Sequence, residues 1–170
     1  YIGSCEGNNS TIDSHVYALD SSVGSKQWAF ETEGQVLSSP AVEDGTIFIG
    51  SSGDLNEGYL YALDAASGRK QWEFETDESV SSSPAVFDGT VYIGSDGKRS
   101  TTDGHVYAID ATIGSKQWAF DPDGRVASSP AVTNNTVFVG DSEGHIYALQ
   151  GLDINDFEFN QYGEIIKPDG

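Results

Sequence analysis

Short runs along the chain are apolar at every position instead of every second one, as in Ile47-Phe48-Ile49 and Leu60-Tyr61-Ala62-Leu63. A strand with one wet face alternates apolar and polar residues, so unbroken runs predict strands covered on both faces. β-Branched and aromatic residues are dense and glycine recurs every few positions, which excludes helix. The pairs Asp44-Gly45, Asp88-Gly89 and Asn134-Asn135 tolerate the positive φ of a tight hairpin and predict turns between strands.

The whole pattern repeats. His15-Val16-Tyr17-Ala18-Leu19-Asp20 returns as Tyr59 to Asp64, as His105 to Asp110, and as His145 to Gln150. Lys-Gln-Trp occurs three times, ending at Trp28, Trp72 and Trp118, and Ser-Ser-Pro-Ala-Val three times, around Pro40, Pro84 and Pro130. Tyrosine to tryptophan is 11 residues in each copy (17 to 28, 61 to 72, 107 to 118) and tryptophan to proline is 12. Proline to the strand-ending glycines Gly50, Gly94 and Gly140 is always 10. Length varies only after that glycine: 12, 9, 11 and 5 residues separate Gly3, Gly50, Gly94 and Gly140 from the next strand. One rigid unit with one variable loop is the plain reading.

Each unit supplies four strands, represented in the second copy by residues 38–42, 46–50, 59–64 and 70–75. A four-stranded antiparallel unit, covered on both faces and returning every 40 to 46 residues, predicts an all-β propeller. Blade one is expected over residues 1–32 without its inner strand, blade two over 36–76, blade three over 80–121 and a degenerate blade four over 126–160. Residues 151–170 form a tail or closing strand. About 3.5 to 4 blades are therefore expected in this chain.

Ala18-x-Asp20-x3-Gly24-x3-Trp28 resembles the tryptophan-docking motif of pyrroloquinoline-quinone (PQQ) type propeller repeats. Ala62, Asp64, Gly68 and Trp72, then Ala108, Asp110, Gly114 and Trp118, repeat it without deviation. The resemblance covers about residues 1–150 and implies a structural role, in which each indole fills a slot between blades where its neighbours are small. It further implies a ring of seven or eight blades, of which this chain would be a part. Two copies completing one ring, or a compact four-bladed ring closed by residues 163–167, are the alternatives. In the fourth copy Gln150 replaces the aspartate and the tryptophan position is lost, with Phe157 a weak substitute.

The chain has 27 acidic and 8 basic residues among 170, a formal net charge of −19 and a pI near 4.1. That sign excludes nucleic acid and an anionic membrane surface as partners. Because the acids are spread over every repeat and lysine is scarce, adaptation to high salt is expected, and with it a halophilic archaeal source. No apolar run reaches membrane-spanning length. The opening Tyr1-Ile2-Gly3-Ser4 is expected to lie inside a longer precursor. Cys5 is the only cysteine, so no disulfide forms within the chain. Sequons at Asn8, Asn9 and Asn134 lean towards an extracytoplasmic or cell-surface location.

Candidate chemistry is sparse. His15, His105 and His145 share one repeat position, so a ring spreads them apart and they cannot converge on one zinc ion. Asp54, Asn56 and Glu57 in one variable loop, and Asp96 and Asp103 in the next, are oxygen-rich but lack the ordered spacing of a calcium loop. Residues 15–42 and 105–132 agree at 19 of 28 positions with mostly conservative differences, whereas an active site would break the repeat. The expectation is a non-catalytic scaffold without cofactor that binds a protein partner. Its recognition loops are residues 4–14, 51–58, 95–104 and 141–144, with Asn8, Asn9, Asp54, Asn56, Glu57, Asp96, Lys98, Arg99 and Asp103 as the candidate contacts. The alternative implied by the resemblance is a fragment of a PQQ- and calcium-dependent quinoprotein dehydrogenase.

Overall fold

The computed structural model describes residues 1–8, 11–53, 57–97, 104–134 and 136–150, with backbone alone for 5–8 and 11–13, and the backbone of two short strands beyond them. The first sheet contains β1 (Ile2–Asn8), β2 (Thr11–Leu19) and β3 (Lys26–Glu31). The second contains β4 (Ala41–Glu43), β5 (Thr46–Ser52), β6 (Gly58–Asp64) and β7 (Lys70–Thr76). The third contains β8 (Ala85–Phe87), β9 (Thr90–Gly94), β10 (Val106–Asp110) and β11 (Lys116–Phe120). The fourth contains β12 (Ala131–Thr133), β13 (Thr136–Gly140) and β14 (Ile146–Gln150). All pairings are antiparallel between sequence neighbours, so each sheet is a meander and forms one propeller blade. In the tail, β15 (Glu158–Phe159) pairs with β16 (Ile165–Ile166).

Local chemistry sets these boundaries. Asp44 and Gly45 take φ of 46° and 76°, and Asp88 and Gly89 take 49° and 72°, the two successive positive values of a tight hairpin. The inner strands begin at Ala41, Ala85 and Ala131, after each proline, and not at the serines. Proline has no N–H to give to the ladder, and the first serine of the motif supplies the missing rung from its side chain. Ser82 Oγ accepts from Gly94 N at 2.7 Å and donates to Gly94 O at 2.8 Å, and Ser38 and Ser128 do the same for Gly50 and Gly140. The second serine links blades around the axis: Ser39 N donates to Ser83 Oγ at 2.8 Å, and Ser83 N to Ser129 Oγ at 3.0 Å. Ser82→Ala should therefore leave buried backbone groups of Gly94 unpaired and cost about 1–3 kcal/mol in urea unfolding. Ser83→Ala, at the more accessible position, should cost less.

The core lies between blades, which is why both strand faces are apolar. Ile47 and Ile49 face back and pack with Val16 of the preceding blade and Val36 of the segment that joins the two, beside Tyr61 and Leu63. Phe48, Leu60 and Ala62 face forward and pack with Val91, Ile93, Tyr107 and Ile109 of blade three. Burying each aliphatic side chain contributes about 1.5–3 kcal/mol. Val80, on the linker after blade two, fits because Gly50 has no side chain: a Cβ there would stand 2.5 Å from Val80 Cγ1.

Candidate functional site at the loop-bearing rim

One edge of the blades gathers everything that varies. Ser52 pairs with Gly58 and Gly58 with Thr76, so the loop between β5 and β6 and the linker leaving β7 share that edge. Each linker is stitched to the next blade there: Gln35 and Ser52 exchange backbone bonds of 2.7 and 2.9 Å, Asp96 N donates to Ser79 O at 2.9 Å, and Ser142 N donates to Arg125 O at 3.0 Å.

The first variable segment, expected as a loop over 4–14, is largely a hairpin arm. β1 and β2 stay in register from Ser4 opposite His15 to Asn8 opposite Thr11. Glu57 is exposed, and its carbonyl accepts from Gly53 N at 2.7 Å to close its loop. Asp96 is half-buried and accepts from Ser81 Oγ at 2.8 Å, so it is tied to the linker. Asn9, Asp54, Asn56, Lys98, Arg99 and Asp103 lie outside the described residues.

A group absent from the sequence expectations dominates the junction of blades two and three. Glu78 stands where the first and third copies have Gly34 and Gly124. Its side chain is 5% exposed, and Oε2 accepts from Ser95 Oγ at 3.1 Å and Tyr107 OH at 3.4 Å, with His105 Nδ1 at 3.0 Å. His105 Nε2 lies 3.2 Å from exposed Asp121. Burial, reinforced by the charges of Glu78 and Asp77, pushes the Tyr107 hydroxyl well above its ordinary pKa, so it stays a donor. The next junction solves the same problem differently. Asp141, at the position of Ser51 and Ser95, accepts from Tyr147 OH at 2.9 Å and lies 3.1 Å from His145 Nδ1. Tyr147 OH also reaches Asp123.

Although desolvation pushes it up, backbone and side-chain bonds from His145 and the bond from Tyr147 hold Asp141 down to about 2. His145 is raised by its bond to Asp141 and by that carboxylate's charge. A raised histidine stabilises fully below its unfolded pKa, near 6.5, and loses that contribution as pH rises through the folded value. A depressed carboxylate stabilises above its unfolded pKa, near 3.8, and loses that as pH falls towards about 2. The pair should thus hold blade four best between about pH 4 and 6.5. An NMR titration should place His145 above an unperturbed histidine, and Asp141→Asn should reduce the shift, leaving the smaller effect of Asp123 and Glu143.

The tryptophan-motif residues sit on the outer side of the blades. Trp28 Nε1 donates to Ala65 O at 3.1 Å, and Trp72 Nε1 to Ala111 O at 3.0 Å, each in the following blade. A Cβ on Gly68 would stand 2.6 Å from the Trp28 ring, and one on Gly114 2.7 Å from Trp72. Asp20, Asp64 and Asp110 fold the turn that carries these glycines by accepting from Ser22 N, Ser67 N and Thr112 N at 2.7–2.9 Å. Ala18, Ala62 and Ala108 lie opposite Trp28, Trp72 and Trp118 in the ladder, each beside a bulge. Trp118 packs with Tyr92, Ala108 and Val137.

Chemically, Ser95, Tyr107 and His105 at one junction and Tyr147 and His145 at the next are turned onto carboxylates, whereas Ser51 and Tyr61 meet the backbone of Glu33; Glu33, Asp77, Asp121 and Asp123 stay exposed. Among the described residues, no three His, Cys, Asp or Glu side chains converge as metal ligands would.

Known structures share this architecture. BamB from Moraxella catarrhalis superposes with a TM-score of 0.62 at 21% identity, over 82% of this chain and 42% of that one. The quinohemoprotein alcohol dehydrogenase ADHIIG from Pseudomonas putida HK5 gives 0.63 at 23% identity, over 75% of this chain and 25% of that one. The computationally designed Ika4 protein gives 0.66 at 12% identity, over 86% of this chain and 89% of that one. The chain thus spans less than half of the BamB and dehydrogenase chains, and at these identities the likeness is one of fold. No curated protein matches in sequence. Residues 12–155 match the family model described as outer membrane protein assembly factor BamB, so the chain belongs to that family of PQQ-like β-propeller repeat proteins.

Proposed function

We propose that this chain is a non-catalytic propeller scaffold that binds a protein partner through its loop-bearing rim. The observation that carries the reading is the division of labour within each repeat. The strands and serine rungs recur and the tryptophan motif is constant in the first three copies, whereas loop length and the rim groups change from blade to blade. Protein–protein recognition needs such variation on a rigid support. The exposed rim carboxylates favour a partner with complementary positive charge and disfavour nucleic acid. Membership of a family described by an outer membrane assembly factor supports an extracytoplasmic location. Shortening the two loops between Ser52 and Gly58 and between Asp96 and Gly104, with those four residues and Ser51 and Ser95 kept, should leave urea unfolding nearly unchanged and abolish co-purification of the native partner. Retained binding would overturn the assignment.

A second reading, part of a PQQ- and calcium-dependent dehydrogenase, is favoured by the likeness to ADHIIG. The residues described here offer no converging ligand set for it, so a cofactor site would have to be built by other blades. Salt adaptation remains part of the proposal: unfolding free energy should rise from low to molar salt, and a flat dependence would refute it.

A further inference from the structure

The linker that leaves blade three is tied to the rim in a way its counterparts are not. β7 runs on to Thr76, whereas β11 stops at Phe120. Pro122 stands at the position of Thr32 and Thr76. Thr32 N donates to Ser14 O at 3.0 Å, and the hydroxyls of Thr32 and Thr76 close their turns onto Gly34 O and Glu78 O. Proline offers neither donor.

Carboxylates and imidazoles take over that work. Asp121 and Asp123 flank Pro122, and each side chain is 79% exposed. His105 of blade three reaches Asp121: its Nε2 lies 3.2 Å from Asp121 Oδ1, while its Nδ1 lies 3.0 Å from the buried Glu78. His145 of blade four reaches Asp123: its Nδ1 lies 3.8 Å from Asp123 Oδ2 and 3.1 Å from Asp141, whose side chain is fully covered. In both cases a buried carboxylate anchors the ring, and the ring faces an exposed carboxylate of the linker. Of the linkers between the described blades, this one has a histidine on both sides, because Tyr59 takes the equivalent position in blade two. An imidazole donates from both nitrogens only when charged. Without its second proton, His105 can donate to one of its two carboxylates, and His145 has no charge with which to draw Asp123 across 3.8 Å.

We propose that Asp121-Pro122-Asp123 is a pH-sensitive clasp of the rim, closed by the charged rings of His105 and His145 and opened as they lose their protons. Opening frees two exposed carboxylates, so a basic partner binds more tightly at higher pH; this consequence rests on the rim being the binding surface. Glu78, Asp121 and Tyr107 stand around His105, with Asp77 acting on Tyr107. Asp141, Asp123, Glu143 and Tyr147 stand around His145, and Arg125 is exposed on the linker itself. The bond to Asp141 and its charge, then the charges of Asp123 and Glu143, raise His145 above 6.5. Its half of the clasp is therefore complete below about pH 6.5 and is lost as pH rises through the folded value.

Amide hydrogen exchange reads the clasp without any partner, so its failure is separable from failure of the rim as a binding surface. Protection of the Asp123 and Arg125 amides, which donate to Tyr147 OH and Ser142 Oγ, should fall about tenfold between about pH 5.5 and 8.5 after correction for intrinsic exchange. His105→Gln combined with His145→Gln should abolish that pH dependence. Asp121→Asn combined with Asp123→Asn, at exposed positions, should show the low protection at both pH values. Constant protection in the parent, or a pH dependence retained in either double variant, would overturn the clasp. An arginine hexapeptide should bind the parent about threefold more tightly at the higher pH and the histidine double variant equally at both. A parent without that preference would overturn the regulatory consequence.

Discussion

Trp72→Ala is expected to destabilise the protein by about 3 kcal/mol, the lower end for a tryptophan deletion because the ring is only partly buried. Three losses combine. The ring leaves its place over Gly114, where a methyl group would not fit. Phe48, whose centroid is 5.8 Å from the indole, loses its partner. Ala111 O loses the Nε1 donor. Trp72→Phe keeps most of the contact area and gives up the hydrogen bond, so about 1 kcal/mol is expected. Urea unfolding followed by circular dichroism measures both without relying on the deleted fluorophore. Equal costs for the two variants would mean that the hydrogen bond, and not the filled slot, clamps the blades.

Glu78→Ala is expected to cost about 1.5–3 kcal/mol, because hydrogen bonds to a charged group are the strong ones and Ser95 and Tyr107 would be left donating into a buried gap. His105 would lose one of its two carboxylate contacts and keep that with exposed Asp121. Glu78→Gln preserves size and one acceptor and should cost less. Restoring the glycine of the other copies, Glu78→Gly, should cost as much as alanine, because the donors around it belong to this junction. An alanine variant as stable as the parent would show that water replaces the carboxylate without loss. Hydrogen exchange should localise any damage to the β6–β10 interface.

Much of the fold is legible in the sequence because the repeat states it several times. The turn at Asp44-Gly45, the strand-ending Gly50 and Gly94, and the doubly apolar β5 and β6 all follow from side-chain chemistry at fixed spacing. The inner strand was less legible. Hydrophobic pattern marks where a strand packs, but it cannot say that Ser38 completes the ladder with a side chain ahead of Pro40. The first variable segment also reads as loop because it is polar, yet Ser4 to Asn8 pairs with Thr11 to His15 as a hairpin arm.

At the rim, Glu78 escaped because the first and third copies resemble each other most, and both have glycine there. Gly34 could not have hinted at a carboxylate: a Cβ on it would stand 2.0 Å from Ser52 O. Only the middle copy, set against the other two, carries the signal. Asp141 in place of Ser51 and Ser95 is legible in the same way. Doubly covered strands, expected throughout, hold for the inner blades and fail at Leu19 and Ile146, since coverage depends on a neighbour and not on the strand itself.

The central claim, a scaffold without quinone chemistry, is tested most directly by titrating PQQ with excess calcium into the polypeptide that contains these blades. Quinone absorbance and dye-linked alcohol oxidation are the readouts. The spectrum of free quinone is expected at every ratio, with no dye reduction above the protein-free control. A saturable one-to-one spectral shift accompanied by dye reduction would contradict it.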